Sequence, residues 1–208
     1  MGYWGTLVVC RGDVDLPELP AVEALERQVE RWATGWRNGW QGWNVRHAPE
    51  DLPEVLATAG VQPLICAEIL GSSGAYVTGF GATGERWACW LMFESALGYY
   101  VPPPAPDFDD DGNPCEIDLD DPVAFPEYHR ELAETRQQLM ADARGGLQAA
   151  EAALAWAAGC GLPTPSVDEV LAVLESDRAF AEDIFVDLLT RLGLHVPALT
   201  EKSAPQSS

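Results

Sequence analysis

Lysine is nearly missing from this chain. Eleven of its 12 basic residues are arginine and one, Lys202, is lysine, set against 33 aspartates and glutamates. A net charge of −21 with no basic cluster argues against direct nucleic-acid binding, because proteins that hold nucleic acid must neutralise phosphates with Arg and Lys. Cysteine pairs are missing as well. Cys10, Cys66, Cys89, Cys115 and Cys160 are scattered and contain no Cys-x-x-Cys, so neither a zinc site nor thiol redox work is indicated. Reduced thiols in a cytoplasmic setting are expected. Long apolar runs are also wanting: residues 7–10 are too short for a signal peptide or a membrane span, so no membrane association is expected.

The common catalytic signatures are lacking. There is no Gly-x-Ser-x-Gly elbow and no His-Glu-x-x-His, and His47, His129 and His195 share no ligand spacing. The glycines of residues 79–84 sit between two strand-like runs with no following helix, which defeats a phosphate loop. Glu68, inside the apolar run 64–70, is the carboxylate whose neighbours point to burial and a raised pKa. An enzyme with an unrecognised site would use it, or His129, in a cleft between the two halves of the chain.

What is present begins with 208 residues, 47% of them hydrophobic, enough for one sizeable core. Residues 3–11 are aromatic and β-branched and read as a strand covered on both faces. Apolar steps of three and four from Leu19 to Trp32 predict a helix over 18–34, followed by a short strand near 42–47 and a helix near 50–59. Three apolar runs, 63–70, 75–81 and 86–93, are separated by glycine-rich turns and predict an antiparallel meander. The order β-α-β-α-β-β-β gives an α+β fold: a mixed or antiparallel sheet of about five strands with helices on one face. Domain organisation follows as a sheet domain over 1–100, an acidic Pro-rich strip over 101–126, a helical subdomain over 127–195 packed on the first, and a disordered tail from 196. Within the helical part, Gly145-Gly146 should break the first helix. Ser166 and Glu169 form a capping box, and the last helix is expected over 177–192.

Residues 101–126 carry eight carboxylates, seven prolines and no basic residue, so they cannot pack as a regular element. Within them Asp107, Asp109 and Asp111 precede Gly112, and Asp118 stands at the twelfth position, the spacing that suits calcium. This loop resembles an EF-hand calcium loop over twelve residues, which implies calcium as a candidate cofactor. Pro114 removes an amide, Asp118 replaces the longer glutamate, and residues 101–106 cannot form the entering helix that an EF-hand requires.

A second constellation is Trp32, Trp36, Trp40 and Trp43, interleaved with Arg37, Asn38, Gln41 and Asn44. Steps of four, four and three place the rings on one side of a helix end, where core packing is the usual outcome. Exposed, Trp36 and Trp40 would make a stacking platform or a protein hot spot. The composition therefore favours a protein that binds a macromolecular partner, a basic protein above all. Asp109, Asp110, Asp111, Trp36 and Trp40 are the candidate contacts. In composition it is similar to the acidic inhibitors and immunity proteins. A calcium-responsive module and an enzyme are the alternatives.

Overall fold

Strand β1 (Gly5–Arg11) is buried from Thr6 through Cys10, at odd and even positions alike, so its sheet needs cover on both sides. The computed structural model describes the chain apart from residues 1, 13–14, 21, 23–27, 107–108, 110, 112, 114–117, 120 and 198–208. Six antiparallel strands form one open sheet: β1, β2 (Val29–Arg31), β3 (Trp40–Val45), β4 (Leu64–Leu70), β5 (Gly74–Phe80) and β6 (Arg86–Leu91), in the order β2-β3-β1-β4-β5-β6. Six helices accompany them: α1 (Leu52–Thr58), α2 (Phe93–Tyr100), α3 (Pro126–Leu139), α4 (Gly146–Gly159), α5 (Val167–Leu174) and α6 (Ala181–Arg191). The fold is α+β, and none of the described helices is long and apolar enough to cross a membrane.

Side-chain alternation assigns the cover. Odd-numbered residues of β1, β4, β5 and β6, among them Val9, Ile65, Val77 and Leu91, join Trp156, Ile184, Phe185 and Leu188 from α4 and α6 in the larger core. Even-numbered residues such as Val8, Cys10, Leu64 and Cys66 meet Leu16, Leu52, Leu56 and Val61 in a smaller one. Helices therefore lie on both faces, where the element order led us to expect one. The first strand had already announced this through its unbroken apolar run.

The meander β4-β5-β6 follows the expected runs closely. Its first turn uses positive φ at Gly71 (58°) and Ser72 (62°). A serine tolerates this strained position because Tyr3 N donates to Ser72 Oγ (2.7 Å), Ser72 Oγ donates to Glu182 Oε1 (2.7 Å) and Ala181 N donates to Ser72 O (2.9 Å). The capping box is present, with Glu169 N donating to Ser166 Oγ and Ser166 N donating to Glu169 Oε2.

The described residues of the range 18–34 do not form the expected helix. Residues 16–18 form one 3₁₀ turn and Val29–Arg31 is an edge strand; residues 21 and 23–27 lie outside the described part. Cross-strand pairing outweighs the helical spacing here: Val29 faces Val45, and the Arg31 guanidinium sits 4.4 Å from the centre of the Trp43 ring. This adds the sixth strand. Helix α2 was also not anticipated, because its apolar residues continue the strand-like run of β6. It docks by close approach to β5: a Cβ on Gly74 would lie 2.4 Å from Ala96 Cβ.

Candidate functional site

On the even face, the apolar cover stops short. Thr6, Glu68, Tyr76 and Trp90 stand directly opposite one another across β1, β4, β5 and β6, forming one polar and aromatic row through the sheet. Alternation that elsewhere puts Val and Leu inside here presents a carboxylate, a phenol and an indole. Trp90 is held by donating its Nε1 hydrogen to Leu139 O at 3.0 Å. Its ring lies 4.9 Å from Tyr76, 5.6 Å from Phe93 and 6.2 Å from Tyr100. Helix α2 thus sets Tyr100 beside Trp90, and the end of α3 closes the opposite rim.

The resulting cleft of about 270 Å³ is lined by Glu50, Glu68, Tyr76, Trp90, Tyr100, Gln138, Leu139 and Asp142. A second, more enclosed chamber of about 60 Å³ adjoins it towards α1 and shares Glu50, Glu68 and Tyr76 as walls; Thr6, Cys66, Thr78, Glu54 and Arg86 complete it. Together they just pass the roughly 300 Å³ at which small-ligand sites begin. Larger hollows beside α4 and beside Pro102 contain no half-buried carboxylate such as Glu68.

The electrostatics are one-sided. Glu50, Glu54, Glu68 and Asp142 meet one guanidinium, that of Arg86. Arg86 is engaged already, its Nε donating to Glu54 Oε1 at 3.0 Å and its Nη2 to the Tyr76 hydroxyl at 3.4 Å. Burial, with the charge of Glu50 behind it, raises the Glu68 pKa above the ordinary glutamate value. Tyr100 is raised too, by burial first and then by Glu68 and Glu50. Burial pushes the Cys66 thiol well up, so it is a neutral floor and not a nucleophile. Aromatic faces beside unneutralised carboxylates suit a cation, which the rings attract through their quadrupoles and the carboxylates by charge.

Glu68 is half-buried and raised, as its apolar neighbours predicted. His129 is elsewhere, its Nε2 lying 2.9 Å from Leu119 O, and does not line the cleft. Trp40 is 5% exposed and packs 5.9 Å from Trp156, while Trp36 is half-buried against Trp32 at 5.7 Å. The tryptophans do not share one side: Trp40 joins the odd-face core and Trp43 the even-face one, because they stand three apart on a strand. Gly42 makes room for the Trp36 ring, 2.3 Å from where a Cβ would stand.

Of the acidic loop, Asp107 and Asp110 lie outside the described residues. Asp109 accepts from the backbone N–H groups of Asp111 (3.0 Å) and Asn113 (2.8 Å), as in a self-capped turn. Asp111 and Asp118 are exposed. No three His, Cys, Asp or Glu side chains converge to hold a metal ion among the described residues.

Sequence reasoning missed Thr6, Thr78, Tyr76, Trp90 and Tyr100. The signal was available in the period-two parity: polar side chains at even positions on three adjacent strands whose odd positions are apolar. Comparisons with protein-family models, with curated proteins and with solved structures find no match to this chain.

Proposed function

We propose that this protein binds a basic protein partner and receives one of its cationic side chains in the cleft formed by Glu50, Glu68, Tyr76, Trp90, Tyr100 and Asp142. The observation that carries this reading is the pairing of charge with ring faces: carboxylates in excess of the one engaged guanidinium, set beside three aromatic walls. The overall charge of −21, with Asp109, Asp110 and Asp111 in the strip, supplies a long-range field that speeds encounter with a positive surface. The strip acts on the rate of association and the cleft on the lifetime of the complex. An inhibitor that masks a basic site on its target works in this way, and so does an adaptor.

Titration calorimetry of the full chain with a peptide rich in arginine and lysine tests the reading. Binding should weaken with salt, and the double variant Glu50→Gln, Glu68→Gln should bind on the order of tenfold more weakly by a faster off-rate. Neutralising Asp109, Asp110 and Asp111 should slow association and leave dissociation unchanged. Equal affinity of wild type and the double cleft variant would remove the proposal.

A further inference from the structure

Three polar side chains are buried among the described residues: Thr6 (4% exposed), Ser72 (5%) and Thr78 (2%). Ser72 is fully engaged, accepting from Tyr3 N and donating to Glu182. Neither Thr6 nor Thr78 has a hydrogen-bond partner for its hydroxyl among the described protein groups, and both line the same 60 Å³ chamber. Neither hydroxyl oxygen is among the fully enclosed unpartnered atoms of the described residues, so each is satisfied from the chamber that both residues border, and valine at either position would take nothing from it. Two such groups, converging on one cavity beside a half-buried carboxylate, mark a place made for a donor that comes from outside.

Building on the cation-binding reading above, we infer that the inner chamber recognises a primary alkylammonium, the end of a partner's lysine side chain, through Thr6 Oγ1, Thr78 Oγ1 and the Glu68 carboxylate. Strand register places these groups around Cys66: Thr78 stands opposite Cys66, and Thr6 stands opposite Glu68. The two hydroxyls and Glu68 match the three N–H donors of an ammonium, while of the other carboxylates Glu54 already accepts from Arg86 and Glu50 is exposed. A guanidinium brings five donors in a plane, and in an enclosed chamber those beyond the acceptors would be buried unpaired. Tyr76 Oη does not make up the difference, since it already accepts from Arg86. The methylene stem would then lie along Tyr76 and Trp90, apolar length against apolar face with the charge at the inner end.

The test compares an oligolysine with an oligoarginine of equal length, each titrated into the full chain and into a Thr6→Val, Thr78→Val variant, with n-butylamine as competitor. Wild type should prefer oligolysine, and the double variant should lose on the order of tenfold in lysine affinity per hydroxyl while its arginine affinity is unmoved. Butylamine should displace oligolysine from wild type, which assigns the recognition to the ammonium and not to peptide backbone. The variant should keep a cooperative melting transition like that of wild type, so that weaker binding cannot be attributed to misfolding. Preference for oligoarginine, lysine affinity indifferent to the two hydroxyls, or failure of butylamine to compete would each overturn the inference and leave the broader reading standing. Failure of both peptides to bind would overturn both.

Discussion

The two faces of the sheet are built from the same strands and present different surfaces. On the odd face Val9, Ile65, Val77 and their neighbours join a single apolar core with residues of α4 and α6. On the even face the cover is complete only where α1 and the 3₁₀ turn lie; beyond Cys66 the same alternation presents Thr6, Glu68, Tyr76 and Trp90 to a cleft. A sheet whose only task was stability would have valine in that row. The contrast separates residues that close the core from residues that line the cleft on which the proposed binding rests.

The comparison is broken most forcefully on the dry face. Phe185 is fully buried and its ring stacks 6.3 Å from Trp32. Phe185→Ala should cost about 3–5 kcal/mol, read as a lower denaturant midpoint at constant slope. Under native conditions the variant should still bind the basic peptide, because no cleft residue belongs to the core that holds Phe185. A loss of binding with fold intact would show that the two faces are not separable.

A sharper division comes from Glu68 and pH. Its folded pKa is raised, chiefly by burial and then by Glu50. Between the ordinary glutamate value and the raised one, the folded chain holds a proton that the unfolded chain has released. Stability of the free protein therefore falls as pH rises through that window and levels off above it. Glu68→Gln should flatten that part of the stability profile. A bound cation favours the ionised carboxylate, so peptide affinity should rise over the same window and lose its pH dependence in the variant. Melting curves and titrations across mildly acidic pH read the two opposite slopes. Parallel slopes would mean that Glu68 does not face the ligand.

Much of this architecture was open to reading because it rests on local chemistry. The meander declared itself through glycine turns and apolar runs, and α5 through Ser166 and Glu169. What was lost depended on pairing across the sheet. Val29–Arg31 has helical spacing in its sequence neighbourhood, and only its partner β3 makes it a strand. The cleft was half legible: Glu68 stood out as a charge in an apolar run. Its companions Thr6, Tyr76 and Trp90 come from strands up to 84 positions apart, and become one row only when register is known. Tyr100 and Asp142 enter from segments whose approach no periodicity encodes.

The smallest expected effect concerns the cleft's rim. Arg136 on α3 donates from Nη1 and Nη2 to the two oxygens of Glu94 on α2, at 2.5 and 2.6 Å, and lies 5.5 Å from the Phe93 ring. The bidentate geometry is good, yet the side chains are 43% and 70% exposed, so solvent screens most of the attraction. Helix α3 has no fully buried residue, so this pair and the Trp90 hydrogen bond to Leu139 are its visible ties to the sheet half. Glu94→Gln should lower stability by at most about 1 kcal/mol. Its effect on peptide binding should be smaller than that of any cleft residue, since Glu94 does not line the cleft. Hydrogen exchange along α3 is the discriminating measurement. Faster exchange confined to α3, with unchanged affinity, would place the rim among the parts that merely support the even face; a large loss of affinity would move α3 into the binding surface itself.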